Sequence, residues 1–185
     1  MNYAISFWLG VIIISLAGTL SHFIYKWTHQ NKYIGLFVAV NESTWEHIKI
    51  ALTPSFLWGI FDGIMYGASP NYFLAKFLSL LVLIIIISSV FYSYLNITKK
   101  PVLFADVCIF YTSIILSQLV FYVILVATPQ PLIASLISGI GILIIFIGYM
   151  ILTIKPPKTA LFKDPITNKF GFFAQRNSKS KKTKK

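Results

Sequence analysis

Residues 72–101 read YFLAKFLSLLVLIIIISSVFYSYLNITKKP. From Tyr72 to about Leu95 the run holds a single charge, Lys76, and it is closed by Lys99-Lys100-Pro101. A helix of about 20 mostly apolar residues is long enough to cross a bilayer. Charge and a residue without a backbone N–H then end it. The stretch reads as a membrane span, and the rest of the chain repeats its design. Spans are expected at about 3–25, 46–67, 72–95, 102–126 and 131–154. Ser69-Pro70-Asn71, Thr128-Pro129-Gln130-Pro131 and Lys155-Pro156-Pro157 supply the other breaks. The second span is the least apolar. It contains Pro54 and Asp62, and is expected to be bent and shielded from lipid. The predicted fold is all-α, a polytopic membrane protein with five transmembrane helices in one domain, residues 1–154.

Composition agrees. Hydrophobic residues make up 57% of the 185 and charged residues 11%, against roughly 25% charged in a soluble domain. The single cysteine, Cys108, excludes an internal disulfide, and its apolar setting reads as that of a small buried hydrophobe. The net charge of +11 resembles a nucleic-acid signal until it is located. Residues 155–185 hold ten of the sixteen Lys and Arg and one acid, Asp164, so +9 of the +11 lies there. The charge belongs to a tail and not to a groove, which argues against a nucleic-acid partner. No phosphate loop, nucleophile elbow or dinucleotide fingerprint is present.

The lysines also predict orientation. Lys26, Lys32 and Lys49 flank the first loop, Lys99 and Lys100 sit in the third, and the tail adds ten basic residues. The other two loops, 68–71 and 127–130, have none, and only Lys76 lies near one of them. Lys and Arg near span ends stay in the cytoplasm. The N-terminus is therefore expected outside and the C-terminus inside, in the cell (cytoplasmic) membrane. The region before the first apolar run has no Lys or Arg, which argues against a cleaved signal peptide. Residues 33–40 (YIGLFVAV) are too short to span and are expected to lie at the interface or re-enter the membrane. No internal repeat is apparent.

This orientation sets the depth of each ionisable group. His22, Glu42, Glu46, His47 and Asp106 fall at one level on the cytoplasmic side and form the candidate lining of a polar cavity. Asp62 lies roughly 24 Å deeper, as a candidate proton or cation site with Lys76 the one cation near its depth. Ser15, Thr19, His22, Lys26 and His29 share a helical face, as do Ser55, Gly59, Asp62 and Tyr66. Asp106, Ser113 and Ser117 share a third, with Gln118 beside it. Gly59, Gly63 and Gly67 would admit a second helix, as in a homodimer. Ser43-Thr44-Trp45-Glu46 fits a capping box. A metal would need His22, His47 and Asp106 to converge from separate helices, because no HxxxH, HExxH or CxxC is present. The sequence names no cofactor.

The tail divides in two. Residues 155–173 are expected to be an ordered juxtamembrane segment with an Asp164-Pro165 turn. Leu161, Phe162, Ile166, Phe170, Phe172 and Phe173 would dock on the helix ends. Residues 174–185 are Lys/Ser/Thr-rich, expected to be disordered and to touch anionic lipid headgroups.

Two motifs, NESTWEHIK at 41–49 and LFKDPITNKFG at 161–171, carry a resemblance. With the segment from Gly18 onward, the chain resembles a family of uncharacterised five-span prokaryotic membrane proteins, and the likeness implies no activity. Membrane-embedded metal hydrolases of the alkaline-ceramidase and progestin-receptor type also gather His and Asp near a membrane face. This chain has five spans rather than seven and lacks their paired histidines one helical turn apart. The leading functional expectation is a small-solute or ion binding or transport protein. A histidine with a pKa near 6.5 beside carboxylates would couple binding to protonation. The alternatives are a membrane-embedded hydrolase acting on lipid, with or without a metal, and a structural or assembly factor without a ligand.

Overall fold

A computed structural model describes residues 3–171. Five helices follow in order: α1 (Tyr3–Trp27), α2 (Thr44–Tyr66), α3 (Tyr72–Thr98), α4 (Leu103–Leu125) and α5 (Leu132–Ile154). Two single 3-10 turns, Ile34–Leu36 and Ala160–Phe162, complete the structure, and the described residues form no named strand. All five helices are long and apolar enough to cross a membrane, and the chain is a multi-pass membrane protein.

The breaks behave as their residues dictate. α3 runs three residues past its expected end because Lys99 turns left-handed (φ 57°) and caps the helix with an N–H to Leu95 O. Pro101 follows before α4 begins. Pro131 caps the start of α5.

α3 packs on α2, α4 and α5, while α1 closes the bundle against α2 and α4. α2 is the most enclosed helix and α5 the least. Leu57, Ile60 and Ile64 on α2, and Ile133, Ile137, Ile140 and Ile144 on α5, stay exposed as a lipid-facing surface. The helix interfaces hold small polar residues instead, among them Ser6, Ser55, Ser79, Ser113 and Ser117. Cys108 departs from expectation. It is exposed on α4 and not buried, because its face of the helix meets lipid rather than a neighbour.

Pro54 lies inside α2, where it leaves the carbonyl of Ile50 without its helical N–H. That oxygen points at Gly18 of α1, 2.7 Å from where a Cβ would sit. Glycine there lets the α1 backbone close on the free carbonyl. Gly59 and Gly63 are likewise occupied within the fold, by Lys76 and Tyr72 of α3.

Residues 33–40 fold back under the bundle. Gly35 is buried, as are Val38, Ala39 and Val40. Lys49 Nζ donates to Gly35 O at 2.9 Å and Tyr149 OH to Leu36 O at 2.8 Å. The expected capping box does not form: the Ser43 side chain makes no cap hydrogen bond. Glu46 Oε2 reaches past it to accept the Val40 N–H at 2.9 Å and Lys49 Nζ at 2.6 Å. Asn41 does the local capping, its Oδ1 accepting the Ser43 N–H at 2.8 Å.

The segment after α5 packs beside this loop. Phe162 is buried on the Trp45 ring at a centroid distance of 5.1 Å, and Trp45 Nε1 donates to Thr153 Oγ1. Asp164 builds a turn, its carboxylate accepting from Ile166 N and Thr167 Oγ1 and its N–H donating to Lys169 O. Gly171 (φ 53°) offers its carbonyl to Asn41 Nδ2 at 3.1 Å. Ile166, expected to dock, is exposed, because the Asp164 turn carries it outward. Phe172, Phe173 and the tail 174–185 lie outside the described residues.

A candidate binding cleft at the basic end

At the end of the bundle that carries the lysine-rich loops, α1, α2, α3, α4 and the post-α5 segment leave space between them. One cleft of about 430 Å³ is lined by Glu42, His47, Phe91, Leu103, Asp106 and Pro165, among others. A smaller one runs from His47 and Asp106 past His22 to Thr19, Phe110 and Tyr111. The two share His47, Leu103 and Asp106. Of the five residues expected to share a level, His22, His47 and Asp106 line the smaller cleft and Glu42, His47 and Asp106 the larger.

Each is held by local structure. His47 sits one turn into α2, and its Nδ1 lies 3.0 Å from Ser43 O. A carbonyl oxygen only accepts, so this contact places an N–H on Nδ1 and leaves Nε2 turned away from Ser43. The His22 ring meets the His47 ring edge to face, with centroids 5.5 Å apart. Asp106 accepts a hydrogen bond from Tyr94 OH, and the same hydroxyl takes the Val102 N–H at 3.4 Å. Thr19 donates to Ser15 O at 2.8 Å and lies 3.0 Å from Tyr111 OH. Of the polar face expected on α1, His29 does not take part. The helix ends at Trp27, and His29 has turned left-handed (φ 53°).

Glu46 is not brought into the cleft. It is one residue before His47, hence about 100° away around the helix, a step fixed by 3.6 residues per turn. That rotation aims it at Lys49 and Val40 instead. Asp62 lies in the other half of the bundle, fully buried, with Lys76 Nζ 2.5 Å from its Oδ2. Although His22, His47 and Asp106 line one cleft, no three His, Cys, Asp or Glu among the described residues are grouped to hold a metal ion.

Sequence reasoning missed Tyr94, Phe91, Phe110 and Tyr111. Tyr94 left a signal: it precedes the Lys99–Pro101 turn by about as many residues as Asp106 follows it. In a helical hairpin such positions meet.

Residues 2–172 match the family of unknown function DUF6512. The chain belongs to this family. No curated protein and no solved structure matches it. The match covers both NESTWEHIK and LFKDPITNKFG, and the fold brings them together. Asn41 bonds Gly171, Trp45 packs on Phe162, and Glu42 faces Pro165 across the cleft.

Proposed function

We propose that this family member binds, and carries, a small positively charged solute through the cleft at its basic end. The observation that supports this is the wall of the cleft. Glu42, Asp106 and two histidines line it, with Phe91, Phe110 and Tyr111 beside them, while Lys99 and Lys163 line the space that adjoins it at Glu42 and Phe91. Carboxylates and aromatic faces together favour a cation of low hydration. By the lysine distribution the cleft opens to the cytoplasm, with the N-terminus outside and the membrane that of the cell. The His47 Nε2 base would take a proton as the cation leaves, linking occupancy to pH.

The test uses the purified full chain in nanodiscs and in proteoliposomes, with tetramethylammonium, methylammonium and potassium as probes. Saturable thermal stabilisation by one of them, and its uptake with proton counterflow, is expected. Both should be lost in Glu42→Gln/Asp106→Asn. Equal responses in wild type and double variant would sink the reading. Single cysteines at Ser69 and Lys99 in a Cys108→Ser background report the orientation. Labelling of Lys99→Cys, and not Ser69→Cys, by an impermeant reagent in intact cells contradicts it.

One observation favours the lipid-hydrolase reading. The smaller cleft reaches Leu103, Val107 and Tyr111, which are exposed on the lipid-facing side of α4. An acyl chain entering there would meet the oriented His47 base beside Asp106. Release of fatty acid from phospholipid vesicles, abolished by His47→Ala, would support it. A wild type no faster than the variant rules it out.

A further inference from the structure

The space that adjoins the larger cleft carries the opposite charge. It measures about 360 Å³ and is lined by Lys99, Lys163, Tyr92 and Asn168, among others. Glu42, Phe91, Pro101 and Pro165 line both spaces, so the two meet along one wall. His47 and Asp106 stand on the cleft side of that wall and the two lysines on the far side. The backbone at both lysines is held in place. Lys99 is the left-handed cap of α3. Lys163 ends the Ala160–Phe162 turn, which Phe162 anchors on the Trp45 ring.

The ion pairs among the described residues are Glu46–Lys49 and Asp62–Lys76. Lys99, Lys163 and Glu42 belong to neither, although all three line the same space. Asp164, next to Lys163, is engaged by Ile166 N and Thr167 Oγ1. Two lysines on one wall favour a phosphate, which lysine binds as a point charge. Tyr92 and Asn168 bring further side-chain donors to that space. A simple anion would be repelled by Glu42. A molecule whose phosphate carries an ammonium on a short linker turns that repulsion into a second contact.

We propose that the two spaces together bind an aminoalkyl phosphate, its phosphate on Lys99 and Lys163 and its ammonium on the side of Glu42, His47 and Asp106. The assignment rests on the proposed cation cleft and names the chemical class of its solute. Such a zwitterion is either a phospholipid headgroup or a free phosphorylated amine. Ile97, Leu103 and Phe104, exposed on either side of the turn at 99–101, form an apolar rim beside the site. Acyl chains would lie on that rim, which favours the lipid.

Calorimetric titration of the full chain in a maltoside detergent tests this, with ethanolamine, phosphoethanolamine, glycerophosphoethanolamine and inorganic phosphate as probes. The two phosphorylated amines should bind about tenfold tighter than ethanolamine or phosphate alone, the factor that about 1.4 kcal/mol supplies. Lys99→Gln/Lys163→Gln should erase that advantage and leave ethanolamine binding as it was. Both lysines are exposed, so the double variant should fold with an unchanged Tm. Equal affinities in the wild type, or an advantage that survives in the lysine variant, overturn the proposal and leave the cation cleft standing. Failure of ethanolamine, tetramethylammonium and methylammonium alike sinks the cation cleft and this assignment with it. Native mass spectrometry with dioleoylphosphatidylethanolamine distinguishes the two sources. Lipid retained by the wild type, lost from the lysine variant and displaced by glycerophosphoethanolamine supports the headgroup. Tight phosphoethanolamine binding that the lipid does not compete with supports the free amine.

Discussion

Among the described residues are two buried Lys–carboxylate pairs, and they are completed differently. Glu46–Lys49 lies within the first turns of α2, where Glu46 also takes the Val40 N–H and Lys49 also donates to Gly35 O. Each charge also makes a backbone hydrogen bond with the loop, and the pair staples the 33–40 loop to the bundle. Asp62–Lys76 joins α2 to α3, and Asp62 keeps one oxygen without a protein partner among the described residues. The first pair is closed structure. The second retains unused hydrogen-bonding capacity within the membrane. A buried pair is weak evidence for net stability, but breaking one strands a charge. The two pairs should therefore respond to mutation differently.

The largest effect is expected at the deeper pair. Lys76→Met strands the Asp62 carboxylate, and loss of one partner of a buried pair costs about 3–5 kcal/mol. Adding Asp62→Leu should recover most of that loss, because two apolar residues replace two desolvated charges. Thermal unfolding in detergent measures both. A double variant no more stable than Lys76→Met would show that the pair specifies the α2–α3 packing rather than merely cancelling charge.

Glu46→Gln comes next. The amide still accepts from Val40, but Lys49 keeps a charge at 0% exposure with only Gly35 O and a neutral neighbour. A hydrogen bond to a charged group is worth about 1.5–3 kcal/mol, and the loss should fall in that range. Hydrogen exchange should locate it at residues 33–40. Exchange that rises evenly along α2 instead would mean the pair does not act as a staple.

Asn41→Ala probes the join between the two motifs and should cost about 1–3 kcal/mol, the range for a buried polar pair broken on one side. It removes the bonds to Ser43 N and Gly171 O, so trypsin should cut faster at Lys163 and Lys169. Unchanged cleavage would assign the docking to Phe162 and Trp45 alone.

These differences mark where the sequence stopped being legible. Span positions follow from one-dimensional quantities, run length and breaker residues, and all five helices lie within a few residues of expectation. Depth is one-dimensional too, and it put His22, Glu42, His47 and Asp106 at one level, where the fold distributes them over two adjoining clefts. Azimuth is not. Glu46 and His47 are neighbours at the same depth, yet a single 100° step sends one to Lys49 and the other to the cleft. Cys108 failed for the same reason, as an apolar run does not say which side meets lipid. Partners across helices were the least legible. The Lys76–Asp62 pair was visible only as a shared depth, and the bond from Tyr94 to Asp106 only through the symmetry of a hairpin.

The smallest effect on stability is expected at Glu42, and it separates the cleft from the staple beside it. Glu42 is exposed, while Asn41 and Ser43 on either side are buried. Substitutions away from packed or paired positions change stability by about 0.5 kcal/mol or less, so Glu42→Gln should leave Tm and trypsin cleavage unchanged. It nevertheless lines the cleft together with His47 and Asp106, and the same variant should weaken cation binding. Glu46→Gln should give the opposite pattern, a lower Tm with binding retained. Binding that follows Tm through both variants would mean the solute responds to the fold at large. Binding that follows Glu42 and ignores Glu46 assigns the two acids of NESTWEHIK to different tasks, one facing the solute and one holding the loop.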